Sequence, residues 1–227
     1  MNRYESYYPR PQLRRDSFYS LCGRWQLNKK DIEIPFPPES KLSCYEGETS
    51  ELYYEKVFSL PEDFYHPSDN VILHFGAVDQ ICDVFFNDYY LGHHEGGYLP
   101  FSFDITDHIK KENLLVVKAK DDLDLYYPYG KQTKDPKGMW YTPVSGIWQS
   151  VWLEAYDRNG IDDLKIESFE DHIKLQIVSN SDRFTFRCGD IEKSFREKEL
   201  VIEIPHPHLW DCEDPYLYDF TLSTEKD

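Results

Sequence analysis

The sequence predicts an all-β protein built as two successive β-sandwiches, and three observations carry that reading. Aromatic residues are plentiful and mostly Tyr (18) and Phe (14), against only two Met, which favours pleated strands over helices. Short apolar segments recur at roughly 8–15-residue spacing with turn residues between them, the rhythm of a sandwich or jelly roll. The composition shifts at Asp157–Asp163 (DRNGIDD), where a domain boundary is expected.

The first expected strand is Gly23–Asn28, which contains Trp25. The run IPFPPES (34–40) has prolines at 35, 37 and 38 and is excluded from a central strand, because proline cannot donate to the ladder. Leu52–Leu60 follows and ends at the turn residues Pro61-Glu62-Asp63. Val71–Phe75 and Ile81–Phe86 come next, and Asn87-Asp88 then introduces a hairpin partner at Tyr89–Gly92. His93–Tyr98 reads as a loop. Phe101–Ile105 alternates, with Phe101, Phe103 and Ile105 inward; Thr106–Ile109 is a candidate helical turn capped by Thr106. Leu114–Ala119 is another strand, and Asp121–Gly138 a long loop.

Three of the five tryptophans, Trp140, Trp148 and Trp152, fall in MWYTPVSGIWQSVWLE (139–154). Ile147–Glu154 reads there as one strand with apolar groups on both faces, hence covered on both sides. Beyond the boundary, strands are expected at Leu164–Ser168, Ile173–Val178, Phe184–Cys188, Leu200–Ile204 and Tyr216–Ser223, with a proline-rich loop at His206–Pro215. Five strands fall short of the roughly seven of an immunoglobulin-like sandwich of about 100 residues. The division is therefore a jelly-roll sandwich over 1–158 and a partial immunoglobulin-like β-sandwich over 159–227, expected to be truncated.

The totals exclude several functions. The 42 acidic and 25 basic side chains give a formal charge of −17, which repels a phosphate backbone and an anionic membrane surface. No run approaches the ~18 apolar residues of a membrane helix, and the amino terminus carries no apolar signal region. The five cysteines are widely spaced without a CxxC pair, which reads as reduced thiols in the cytoplasm, with no metal and no cofactor expected. His93-His94 beside Glu95 is a weak metal candidate, since adjacent side chains of an extended segment point apart. His206 and His208 flank Pro207 in a loop and rank no higher.

Eight stretches in collinear order resemble the amino-terminal part of family 2 glycoside hydrolases, the β-galactosidase and β-glucuronidase group. They are GRWQL (23–27), IPFPPES (34–40), YYEKVFSLPED (53–63), LHFGAVDQICDVFFNDYYLGHHEGGYLPFSFDIT (73–106), ENLLVVKAKDD (112–122), GKQ (130–132), MWYTPVSGIWQSVWLE (139–154) and PHLWDCEDPYLYDFTL (207–222). The resemblance implies a jelly-roll sugar-binding-type domain and an immunoglobulin-like domain. A (β/α)8 barrel of about 250 residues would follow in the same polypeptide. It places the two catalytic glutamates of a retaining mechanism in that barrel, so no residue of this chain is expected to be catalytic.

The same resemblance directs attention to PYGKQTKDPKGMWYT (128–142), because the corresponding loop in the family reaches toward the barrel's active site. Some β-galactosidases carry an aspartate directly before the Met-Trp pair, where this chain has Gly138; the nearest acid is Asp135. The substrate-binding candidates are Lys131 and Gln132 as donors to hydroxyls, Asp135 as an acceptor, and Trp140 with its neighbour Tyr141 as a stacking surface. Trp148, Trp152 and Trp210 are assigned to packing, and Trp25 to the core. The leading expectation is thus a non-catalytic region that supports a barrel and shapes one wall of its pocket. A stand-alone carbohydrate-binding module, or a structural region through which the protein forms homo-oligomers, are the two alternatives.

Overall fold

The structure is a computed structural model that describes residues 8–10, 12–47, 50–123 and 126–227. The stretch of the amino terminus read for a signal region, up to Tyr7, and residues 124–125 of the long loop lie outside the described residues. Among the described residues nearly every regular element is a strand, and the two short helical turns are 3-10 in type. The chain divides into two compact units: Arg15–Ala155 with the residues before Arg10, and Tyr156–Asp227 with Arg10–Arg14.

The first unit is a sandwich of two antiparallel sheets. One has four strands in the order Phe18–Ser20, Val151–Asp157, Asp69–Phe75, Phe101–Asp104. The other has six, in the order Lys30–Ile34, Gly23–Leu27, Glu51–Phe58, Asn113–Lys120, Ile81–Phe86, Tyr89–Glu95. Period-two burial aims one face of each sheet at a shared core. Trp25, Tyr54, Val84, Phe86 and Val117 enter it from the six-stranded sheet, and Leu73, Phe75, Val151 and Leu153 from the other. A two-stranded ribbon, Val78–Asp79 with Gly146–Ile147, joins the same unit.

Two hairpins in the six-stranded sheet are closed by paired positive-φ residues, Asn28-Lys29 (49° and 66°) and Asn87-Asp88 (50° and 73°). Both are two-residue turns whose left-handed backbone conformation gives them the right-handed twist of the strands they join. The second was expected. The first was not, so Lys30–Ile34 is an additional strand, whose antiparallel partner is Gly23–Leu27.

Several expectations are corrected. Ile147–Glu154 is not one strand: the chain leaves the ladder at Trp148–Ser150, and the pieces on either side join different sheets. Strand Val151–Asp157 is nonetheless covered on both faces, since Trp152 and Glu154 are as buried as Val151 and Leu153. The His93–Tyr98 segment begins as strand, because Tyr89–Glu95 continues past Gly92 after a bulge at Leu91, opposite the Val84–Phe85 step of its partner. Thr106 is not a cap. Ile105 holds that position, while the Thr106 hydroxyl accepts from the Val71 N–H at 2.8 Å and ties the turn to the neighbouring strand.

The second unit packs two three-stranded antiparallel sheets. They run Ile161–Ser168, His172–Ser179, Glu199–Glu203 and Ile191–Phe195, Phe184–Cys188, Thr221–Ser223. Leu175, Ile177 and Ile202 meet Phe184, Phe186 and Phe195 in its core. Ile191–Phe195 escapes sequence reading because its three central residues are polar and exposed, as befits an edge. The last strand is shorter than expected: Tyr216–Phe220 stays outside the ladder and only Thr221–Ser223 pairs.

Candidate functional site

The 128–142 loop folds back on itself beside the two-stranded ribbon. Gly130, at φ +62°, opens the turn, a conformation that favours glycine. The Tyr141 N–H donates to the Lys131 carbonyl at 2.9 Å, and the Thr133 N–H donates to the Tyr141 carbonyl at 3.1 Å. These two bonds form a short parallel bridge at the neck of the loop. At its tip the Trp140 N–H donates to the Lys137 carbonyl at 3.2 Å, with Gly138 also at φ +62°. Met139, Trp140 and Tyr141 are left exposed, Trp140 at 49% and Tyr141 at 64%.

Gln132 fastens the neck to the sandwich. Its Nε2 donates to the Tyr98 hydroxyl at 3.2 Å and to Asp79 Oδ2 at 3.4 Å, and its Oε1 accepts from the Val144 N–H. A second fastening lies just beyond. The Ser145 N–H donates to Glu39 Oε2 at 3.2 Å, and the Ser145 hydroxyl donates to the other oxygen of that carboxylate. Trp148 completes the edge, donating from Nε1 to the Gly97 carbonyl at 2.8 Å and meeting the Tyr98 ring edge-on.

Beneath the neck the polar groups are deeply buried. Asp79 is 2% exposed, and its Oδ1 faces Gly97 so closely that a β-carbon there would lie 2.0 Å away. Burial, with the charge of Asp121 adding to it, pushes the Asp79 carboxyl up from 3.8 to about 6, against the opposing pull of the Gln132 hydrogen bond. Asp121, buried as well, is raised by desolvation, opposed by its hydrogen bond from the Leu123 N–H. Tyr54 is fully buried, and its hydroxyl fills the space where Gly146 (φ +68°) has no side chain.

The five candidates therefore divide. Lys131, Asp135, Trp140 and Tyr141 are all exposed on the loop, with Asp135 paired to Lys137 at 2.7 Å. Gln132 points inward with its amide committed to the chain. Asp79, Tyr98 and Trp148 belong to the same constellation. Sequence reading passed over Asp79 and Tyr98, although Asp79 sits in the FGAVDQ stretch and Tyr98 in HHEGGY. A carboxylate between Val78 and a glutamine, in an otherwise apolar strand pair, was the available signal.

His93, His94 and His208 each have partners within the chain. His93 pairs through Nδ1 with Asp83 at 2.9 Å and through Nε2 with Glu95 at 3.2 Å, while His94 turns to the other face and stacks on Phe101. His208 meets Asp214 at 2.7 Å and stacks on Tyr216. A separate buried cluster centres on Glu154, which accepts from the Tyr8 hydroxyl at 2.5 Å, Trp152 Nε1 at 2.9 Å and Arg15 Nη1 at 3.0 Å. Trp210 is not a core residue of the second unit, being 61% exposed. It borders an apolar groove of about 370 Å³ with Ile166, Phe169, Phe186, Leu217 and Phe220.

The fold and the rim define the class: a β protein of two sandwiches, the first carrying an exposed aromatic loop pinned to its edge by a half-buried amide and a buried carboxylate. The chain belongs to glycosyl hydrolase family 2. Residues 12–156 match the family's sugar binding domain, and residues 160–227 match a second domain described as glycosyl hydrolases family 2. A β-galactosidase of Thermoanaerobacter pseudethanolicus is 28% identical over 199 residues, which cover 75% of this chain and 25% of that protein. A β-glucuronidase of Bacteroides fragilis is 26% identical over 211 residues, covering 77% and 29%. The fold is shared with a β-glucuronidase from Ruminococcus gnavus, at a TM-score of 0.70 and 20% identity over 97% of this chain and 44% of that one. The chain thus spans less than half the length of each of these relatives and matches their amino-terminal region.

Proposed function

We propose that this chain serves a glycoside hydrolase as its non-catalytic amino-terminal region, and that the 131–142 loop forms one wall of the pocket where a sugar binds. The hydrolysis itself, by a retaining mechanism on a β-galactoside or β-glucuronide, belongs in this reading to a barrel of the same polypeptide. The observation that carries it is the exposed Trp140–Tyr141 pair, held on a loop whose neck is fixed by hydrogen bonds. An aromatic face held in place offers apolar surface to sugar C–H groups without the cost of ordering it on binding. Lys131 and Asp135, exposed on the same loop, are the donor and acceptor for hydroxyls in this reading.

Titration of the chain with galactose, glucuronic acid and short oligosaccharides, followed by tryptophan fluorescence, tests this reading. A wall completed only by a barrel predicts no saturable binding at millimolar concentration or below. Saturation in that range, abolished by Trp140→Ala, supports a stand-alone carbohydrate-binding module instead.

A second reading rests on the other unit. Leu209, Trp210 and Leu217 are all more than half exposed beside an apolar groove, which supports a role in assembly, whether with a barrel or as a homo-oligomer. The cytoplasm is the proposed compartment, supported by five free cysteines, two of them exposed.

A further inference from the structure

Resting on the reading of the 131–142 loop as a pocket wall, we propose that Gln132 and Asp79 act as a positioning pair that sets where Trp140 and Tyr141 stand. Gln132 lies at the neck of the loop, between the two residues, Lys131 and Thr133, whose backbone groups bond Tyr141. Any displacement of Gln132 therefore moves the aromatic pair with it.

The amide is held from three directions. Nε2 meets Tyr98 and Asp79, and Oε1 takes the N–H of Val144, which is the residue where the chain leaves the loop. One side chain thus ties the loop's entry, its exit and the sandwich edge. A glutamine suits this position because it presents a donor and an acceptor on the same planar group.

Asp79 supplies the fixed end. Its backbone is in the ribbon with Gly146–Ile147, its carboxyl is enclosed, and Gly97 leaves it room on the far side. Among the described residues, Oδ1 has no hydrogen-bond partner, so the interaction through Oδ2 is the one that Asp79 makes toward the loop. Tyr98 in turn is steadied by Trp148, whose indole is fixed on the Gly97 carbonyl. The pair is accordingly built into the sandwich and acts on the loop, without itself reaching the exposed rim.

The polarity of the pair gives a test that simple loss of packing does not pass. Gln132→Glu keeps the shape but sets two carboxylates against each other. Adding Asp79→Asn restores a donor facing an acceptor, with the direction of the bond reversed. Hydrogen exchange of the Trp140, Tyr141, Thr133 and Val144 amides at pH 7.5 is the readout, made on the 227-residue chain without sugar. Gln132→Glu is expected to speed exchange at these four by at least about tenfold. Val117 and Leu153, in the core strands, stay at the wild-type rate. The double variant is expected to return the four amides to within about threefold of wild type. Unchanged exchange in Gln132→Glu, equal acceleration in the core strands, or a double variant as fast as the single one would each overturn the proposal. Because no sugar is present, these outcomes are separate from failure of the pocket-wall reading, which the titration above decides.

Discussion

Gln132 donates its side-chain amide to Asp79, a residue 53 positions earlier and 2% exposed. The contact makes the 131–142 loop part of the sandwich edge. Burial of the Asp79 carboxyl makes its ionisation costly, and the consequence is measurable.

The Asp79 carboxyl is raised in the folded chain to about 6 from its ordinary 3.8, with burial as the leading cause. The folded state then holds a proton that the unfolded state has released, so stability falls as pH rises between those values. The stabilising effect is complete below about 3.8 and lost above about 6. Asp79→Asn removes this dependence. The Tm of wild type minus that of Asp79→Asn is therefore expected to decrease from pH 4 to pH 7, all other titrating groups being shared. A flat difference across that range would show that Asp79 keeps an ordinary pKa.

Glu154 is completely buried and lies 3.0 Å from Arg15, itself 6% exposed, with Trp152 and Tyr8 also donating to it. Removing one member of such a cluster leaves charge and donors stranded. Glu154→Ala is expected to lower the stability of the first sandwich by about 3–5 kcal/mol. Urea unfolding followed by near-UV circular dichroism measures it, because Trp152 stacks on His74 at 4.9 Å in the same cluster. A loss below about 1 kcal/mol would mean that the cluster adds little net stability.

Gly146 combines φ +68° with a position where a β-carbon would lie 2.1 Å from the Tyr54 hydroxyl. Tyr54 is fully buried and has no room to withdraw. Gly146→Ala is expected to cost more than about 2 kcal/mol and to separate the ribbon strand Gly146–Ile147 from Val78–Asp79. Thermal unfolding, with exchange at the Ile147 amide, checks both parts. A Tm within 1–2 °C of wild type contradicts them.

Much of the fold was legible where burial along a strand follows a period of two. Ile81–Phe86 and Phe184–Cys188 run as the alternation indicates, and the Asn87-Asp88 turn announces its hairpin. The failures are equally physical. Asn28-Lys29 makes the same kind of turn with a lysine at its second position, where Asn87-Asp88 has an aspartate, a residue more typical of such turns. Trp148–Ser150 continues an apolar pattern, yet the strands on either side belong to different sheets, and periodicity carries no information about sheet membership. Arg10–Arg14 joins the second unit across a sequence separation that composition does not register. In the candidate site, the exposed aromatics stood out as residue types in an unusual loop. The inward direction of Gln132 did not, because it depends on Asp79 and Tyr98, which adjoin it only once the sandwich has formed.

The proposal that this chain lends one wall to a sugar pocket, with the glycosidic chemistry done elsewhere in the polypeptide, can be tested at its centre. The most direct test is to incubate the purified 227-residue chain with chromogenic β-galactosides and β-glucuronides across pH 4–8. Release of the chromophore is expected to be no faster than in buffer at every pH. Turnover that co-purifies with the chain, and that is lost when Asp79 or Asp135 is replaced by the corresponding amide, would contradict it.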